Sequence, residues 1–440
     1  MLWMVAGPPV GITAFSGVRF YDLLWLGSVF TGLLVVARSG TIPRVRGAPL
    51  LTAYLGYVTL VLTLPLIGLI LLPQAQLEWY LGDLRWLQVV SIAAVFLFAY
   101  RERGYDRFQA DLTNFLLALV ALNALVLGGQ VWLQNVGGSV PFVVDLWYPE
   151  DGRGYGRYGF HINRFAGAMN HASGLALVGG LMLLVALFSK GGGWRSYLIG
   201  FAGLAFVVAS GNRSVIFGLP VLLFLVFLVR IVFIRRLQMV RPVTVIGGLV
   251  AISAVAWAVL NLNLGRMFSG DGGRIAQTIG VVFGDKTFEE VAGRGGERWF
   301  SAIRESQEWT VIGTLVNPAH ALGDLPTFDS MYVFMFAQAG PVLLGGFVGL
   351  FLVLAYKAWR VWVVDRAAGA FPLAVLVTFL LVSITQNLIT GMTGRVLLTL
   401  AVTHMIIYLS HRHVLTKRLE SAALAPGSQG TAGSQGTASS

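Results

Sequence analysis

Apolar residues in this chain come in long blocks, without the polar interruption every third or fourth position that marks a surface helix. From residue 19 onward, almost uncharged runs of roughly 15–25 residues alternate with short segments that gather Arg, Lys, Gly and Pro. A run of about 20 apolar residues crosses some 30 Å of hydrocarbon as a helix. In lipid only a helix or a closed barrel satisfies every backbone N–H and C=O. The pattern predicts about eleven spans (ten to twelve), near 19–37, 48–72, 86–100, 110–134, 170–188, 197–211, 214–234, 243–263, 330–356, 372–390 and 395–410. The shorter two, 86–100 and 197–211, need flanking residues to complete a crossing. The expected fold class is therefore all-α, a polytopic integral membrane protein whose membrane domain takes up residues 1–418. Residues 419–440 read as a disordered cytoplasmic tail, because "GSQGTAGSQGTASS" (427–440) repeats a small polar hexamer.

Composition agrees. Of 440 residues, 56% are hydrophobic and 12% charged, with a mean hydropathy of +0.75, whereas a soluble domain is about one quarter charged. The absence of cysteine removes disulfides, thiolate nucleophiles and Cys-ligated zinc. Residues 1–15 carry Gly-Pro-Pro and no basic start, so no cleavable signal peptide is expected.

The net charge of +11 reads as topology rather than as a nucleic-acid footprint. Basic residues fall on alternate short connections: Arg38, Arg44 and Arg46; Arg101, Arg103 and Arg107; Lys190 and Arg195. The series continues through Arg230, Arg235, Arg236 and Arg241, then Lys357, Arg360 and Arg366, then Arg412, Lys417 and Arg418. The positive-inside rule turns these connections to the cytoplasm. Two long connections, 135–169 and 264–329, are then extracytoplasmic. Both carry arginines against the bias: Arg153, Arg157 and Arg164 in the first, Arg266, Arg274, Arg294, Arg298 and Arg304 in the second. Orientation does not explain them.

Candidate chemistry lies on those connections. In "HINRFAGAMNHASG" (161–174), Arg164, Gly167, His171 and Gly174 would share one face if the segment were helical. The bland alternative is an interfacial arginine that snorkels to head groups, with Asn170-His171 as a helix cap. "SGNRSV" (210–215) is the tightest turn on the outer side and carries Arg213, which needs a lipid phosphate, a carboxylate or a ligand as partner. "ERWFSAIRESQEW" (297–309) reads as an amphipathic helix opened by Arg298. Beyond it lie His320, the one histidine of that loop, and Asp329, a plausible N-cap for the next span. His404, inside the last span, reads as a satisfied buried histidine. No metal-ligand, Walker or nucleophile-elbow motif is present in the sequence.

Four stretches in order resemble the O-antigen polymerase and O-antigen ligase superfamily of envelope polysaccharide enzymes. They are "VRFYDLLWLGSVF" (18–30), "RFAGAMNHASGLA" (164–176), "SGNRSVIFGL" (210–219) and the segment 297–350. The chain departs from the family in having Asn-Arg rather than Ser-Arg at 212–213, and a shorter first span. The resemblance implies a GT-C-like fold with a large extracytoplasmic loop as lid. It implies an undecaprenyl-diphosphate-linked oligosaccharide as donor, with no metal and no cofactor. Without a metal, arginines must neutralise the departing diphosphate. On that view Arg164, Arg213, Arg298 and Arg157 bind the donor diphosphate, and the acceptor's base is His320 first and His171 second. The expected activity is polymerisation of repeat units on the outer face of the cytoplasmic membrane. Its partners would be the bilayer, the lipid-linked glycan and, on family grounds, a chain-length regulator, with no nucleic acid.

A ligase, handing the glycan to lipid A-core, would share donor and fold. "DSMYVFMFAQAG" (329–340) leans slightly to the polymerase. A lipid-linked oligosaccharide transporter would place ionisable residues within spans, whereas the expected spans are nearly free of them away from their ends.

Overall fold

The computed structural model describes residues 5–6, 26–27, 30, 34, 38, 48–136, 138–148, 160–161, 164–169, 171–189, 193–212, 215–216, 218–220, 301–322, 330–383, 386–388 and 391–424. In chain order the elements are α1 (Ala48–Leu71), α2 (Leu77–Asn135), α3 (Phe142–Trp147), β1 (Phe160–His161), β2 (Arg164–Phe165), α4 (Ala172–Phe188) and α5 (Trp194–Ser210). After them come α6 (Pro318–Ala321), α7 (Met331–Val364), α8 (Arg366–Ser383) and α9 (Met392–Leu424). Strands β1 and β2 form a two-residue antiparallel ladder, and everything else regular here is helical.

Six helices among the described residues are long and apolar enough to cross a membrane: Pro49–Leu71, Gly82–Tyr100, Arg103–Asn135, Met331–Val364, Arg366–Ser383 and Met392–His413. The 17-residue apolar helices α4 and α5 are each about 26 Å long, a little short of the hydrocarbon thickness. The architecture is that of an all-α, multi-pass membrane protein, and eight of the expected spans are helices. Of the other three, 19–37 is described only at isolated positions, 214–234 only as far as 220, and 243–263 lies outside the described residues. The expected 372–390 span ends at Ser383, and the weak 86–100 span starts earlier, at Gly82.

Helix α2 holds two spans because it folds back at Gly104, where φ is +80°. A glycine tolerates that conformation without a Cβ clash. The fold-back is closed by Tyr100, whose hydroxyl donates to Asp111 at 2.8 Å and whose ring meets Phe108 edge-on.

Contacts give the helices a common sense. Gly104 faces His411, Trp362 Nε1 donates to Phe188 O, and His404 Nε2 donates to Ala368 O at 2.8 Å. These groups share one end of the bundle, where Arg107, Arg195, Lys357, Arg360, Arg366 and Arg412 also lie. At the opposite end Gly68 packs on Leu315 and Val316, and Tyr332 donates to Leu380 O. Gly180 abuts Thr378, so the start of α4 and the end of α8 lie at that second end as well.

His404 is buried as the sequence suggested, but only its Nε2 is satisfied, and Nδ1 has no hydrogen-bond partner among the described residues. It has no exposed surface, its Nε2 also lies 3.1 Å from the Tyr105 hydroxyl, and it is stacked on Phe371 and enclosed edge-on by Tyr105 and Phe108.

Candidate functional site

The bundle end opposite the basic one contains irregular backbone that enters the interior in two places. The first is 164–171. Residues 165–169 are all buried, yet they are not helical. Buried amides outside a helix need partners from elsewhere, and α2 supplies them. Asn123 Oδ1 accepts the Ala168 N–H and Gln130 Oε1 accepts the Gly167 N–H, each at 3.0 Å. These amides are seven residues apart, two turns of one helix face. Tyr148, just after α3, donates its hydroxyl to Gly167 O at 2.9 Å. Gly167 has φ +57°, and a Cβ there would sit 2.7 Å from Asn123 Oδ1. Asn123 is twelve residues from the end of α2 at Asn135, so the segment reaches about 18 Å below that helix end.

This overturns the expectation that 164, 167, 171 and 174 share a helical face. Arg164 is in β2, Gly167 is in a left-handed turn, and helix α4 begins only at Ala172. The i+3/i+4 spacing was met, but two buried amides on α2 hold the turn open.

His171 is the N-cap of α4, as the bland alternative had it. Its Nδ1 accepts the Ser173 N–H at 3.2 Å and lies 2.6 Å from Ser173 Oγ. A neutral imidazole carries one proton. With Nδ1 accepting, that proton is on Nε2, and the ring presents a donor there. Taking a proton at Nδ1 would mean giving up the cap.

Half-buried Arg164 reaches the other motif singled out in the sequence. Its Nε donates to Ser210 O at 3.3 Å. Ser210 ends α5, Gly211 turns with φ +58°, and Asn212 Oδ1 accepts the Val215 N–H at the start of the next helical stretch. A guanidinium therefore sits beside the turn 210–215 and close to His171, at the positive end of the α4 dipole. The local field favours an anion.

The second irregular place is a break in α7. Ala339 and Gly340 leave helical geometry, the glycine with φ +55°, and Pro341 lacks the N–H that Ala337 O would accept. The outer connection supplies substitutes: Thr314 N donates to Ala337 O at 2.9 Å and Leu315 N to Gln338 O at 2.7 Å. Gly313 (φ +130°) and Gly340 allow the close approach. A Cβ on Gly340 would lie 2.9 Å from Ile312 O, and one on Gly313 would collide with Ala337 O. Upstream, the described part of the expected amphipathic helix 297–309 is helical over 301–307 and turns at 308–309. It turns Ala302 against Phe334 and Ala337, buries Ser306 and leaves Arg304 exposed.

Sequence reasoning missed a third feature. Arg395, on the first turn of α9, is 2% exposed at its side chain and its Nη2 lies 3.9 Å from Asp83 Oδ1 on α2. Arg395 Nη1 donates to Gly82 O at 2.6 Å, and the guanidinium lies over the Trp86 ring, 5.4 Å from its centroid. Tyr57 meets Trp86 edge-on, and Gln338 approaches the Asp83 carboxylate. This cluster and the 164–171 segment are bridged by residues 5–6: Trp147 donates to Ala6 O and Thr393 to Val5 O. The available signal was a lone acid and a lone base, each at the edge of an apolar run.

Of the residues expected to act, Arg164 and His171 are brought together. Arg157, Arg213, Arg298 and Asp329 lie outside the described residues. The backbone of His320 is in α6, but its side chain lies outside them too. Ser330, the N-cap of α7, makes no side-chain cap bond. No protein-family model matches the chain, and no curated protein matches it significantly.

Proposed function

We propose that the chain is a membrane glycosyltransferase that polymerises undecaprenyl-diphosphate-linked oligosaccharide repeats on the outer face of the cytoplasmic membrane. The carrying observation is Arg164, held half-buried on an in-turned segment beside the N-terminus of α4 and the turn 210–215. A fixed guanidinium and a helix N-terminus form a metal-free receptor for a diphosphate. Arg213, three residues beyond Ser210, and Arg157 and Arg298 from the two long connections would complete it. The basic end of the bundle faces the cytoplasm by the positive-inside rule, which turns Arg164 outward.

In the reaction the acceptor hydroxyl oxygen bonds to the anomeric carbon as the bond to the diphosphate oxygen breaks. The diphosphate leaves with the electron pair, and its charge is taken up by the arginines. The hydroxyl proton passes to His320, our choice of base. His171 contributes a donor from Nε2 towards the anion. The GT-C-like fold and a chain-length regulator as partner belong to the same proposal.

The test uses purified protein, synthetic lipid-diphosphate oligosaccharide and EDTA. A ladder growing by whole repeats supports a polymerase. Transfer only after lipid A-core is added makes it a ligase. Arg164→Ala in folded protein should abolish the ladder, and an unchanged ladder refutes the clamp. A second reading, transport of the lipid-linked glycan, is favoured by one observation, the salt bridge Asp83–Arg395 inside the bundle. Binding without product in both assays would favour it.

A further inference from the structure

Four polar atoms around the Asp83–Arg395 pair have no hydrogen-bond partner among the described residues: Asp83 Oδ2, Tyr57 Oη, Trp86 Nε1 and Gln338 Nε2. All are buried, and their side chains come from α1, α2 and α7. They adjoin one another. Asp83 and Trp86 are three residues apart on one face of α2, the Tyr57 and Trp86 ring centroids are 5.7 Å apart, and Gln338 approaches the Asp83 carboxylate.

Orphaned buried donors and acceptors are rare, and several in one place call for an absent occupant. The inventory identifies its chemistry. Trp86 and the Gln338 amide nitrogen can only donate, Tyr57 can donate, and the Asp83 oxygen can only accept. An occupant must therefore give one hydrogen bond and accept at least two. An anion fails because it would meet the carboxylate, and an ammonium fails because it would meet the donors and Arg395. A hydroxyl, with one O–H and two lone pairs, fits.

We infer that Tyr57, Asp83, Trp86 and Gln338 form a hydrated site within the bundle that binds a neutral hydroxyl group. Water is one source of that group and a sugar hydroxyl of the substrate is the other. The sugar source rests on the function proposed above, and the hydration does not. Gln338 also ties this site to the break in α7, since its carbonyl accepts the Leu315 N–H.

The chain has no cysteine, so a single introduced thiol reports its own surroundings. In detergent, Gln338→Cys should react with a charged, water-soluble methanethiosulfonate at least about tenfold faster than Leu350→Cys in the dry core, because only a solvated thiol ionises. In the unmodified chain the Trp86 indole N–H, assigned with Trp86→Phe, should exchange with D2O in minutes. A thiol at 338 no faster than the one at 350, together with a protected indole, overturns the inference. If Gln338→Cys does not fold, the indole exchange decides alone. Soluble oligosaccharide that slows labelling identifies a sugar hydroxyl as occupant, and unaltered labelling identifies water. Neither result needs turnover, so failure of the polymerase proposal is read separately.

Discussion

Asn123→Leu removes the bond that holds the in-turned segment. Leu keeps the branched outline of Asn but is bulkier, so some overpacking cost adds to the loss. What is lost is the acceptor of the Ala168 N–H at 3.0 Å. The Asn123 Nδ2 bond to Leu119 O is also lost, but it supplements a carbonyl already on a helix. A buried amide left without a partner costs about 1–3 kcal/mol. Ala168 is fully buried, so water does not replace the acceptor and the cost lies towards the upper end. Gln130→Met should cost a similar amount through Gly167. The double variant should cost less than the sum, because the two amides belong to one turn that is released once. Released, the turn moves Arg164 and His171 together, and a shift of about 1 Å in a positioning group is worth roughly a hundredfold in rate. Chemical unfolding in micelles measures the first effect, and the polymerisation ladder or donor binding measures the second. Stability within about 0.5 kcal/mol of the native chain, the range of a neutral surface change, combined with unaltered activity would refute the reasoning.

Gly340→Ala places a Cβ 2.9 Å from Ile312 O at φ +55°. It should destabilise by about 1–2 kcal/mol from the left-handed backbone alone, read as a lowered unfolding midpoint, with protease sensitivity rising near 312. His171→Ala removes the acceptor of the Ser173 N–H and should cost about 1 kcal/mol in chemical unfolding, whereas His171→Asn keeps a capping side chain and should recover most of it. Arg395→Met leaves Asp83 buried without its cation and should cost about 3–5 kcal/mol, while Arg395→Met combined with Asp83→Leu should recover most of it. A double-mutant cycle in micelles measures the coupling.

The helices were legible because an apolar run of span length has few other fates. Where the chain bends inside the membrane was legible only in part. "AQAGP" (337–341) announces the α7 break through Pro341, but the segment that mends it, 313–316, comes from a connection with no strand or helix pattern. Asn123 and Gln130 read as polar residues tolerated in an apolar run. Their seven-residue spacing was the only sign that both face one target. Arg164 and the turn at 210 were both noticed, but their meeting depends on α4 and α5 packing closely, with Gly203 against the Gly179 carbonyl. Asp83 and Arg395 are 312 positions apart, and a one-dimensional pattern holds no trace of that pairing.

The placement of buried polar groups bears on the choice between chemistry and transport. Among the described residues, Asp83, Asn123, Gln130, Ser173, Ser210, Asn212, Thr314, Gln338 and Arg395 are buried and gather at the end with the irregular backbone. Towards the basic end the interior closes. His404 lies nine residues beyond Arg395 on α9, about 14 Å of helix, and is packed by Tyr105, Phe108 and Phe371, with Tyr408 against Tyr105. Its Nε2 is bound to Ala368 O. A carrier needs polar groups that can be reached from both sides in turn. A transferase whose donor and acceptor arrive on one face needs them on one side only, with a dry floor beneath. Non-helical backbone survives in a membrane only where protein or a water-lined cavity surrounds it, and among the described residues the in-turned segment and the α7 break lie at the same end. That asymmetry is what the transfer proposed above at a single membrane face calls for, and on that proposal Asp83 and Arg395 would lie beneath the site rather than along a passage.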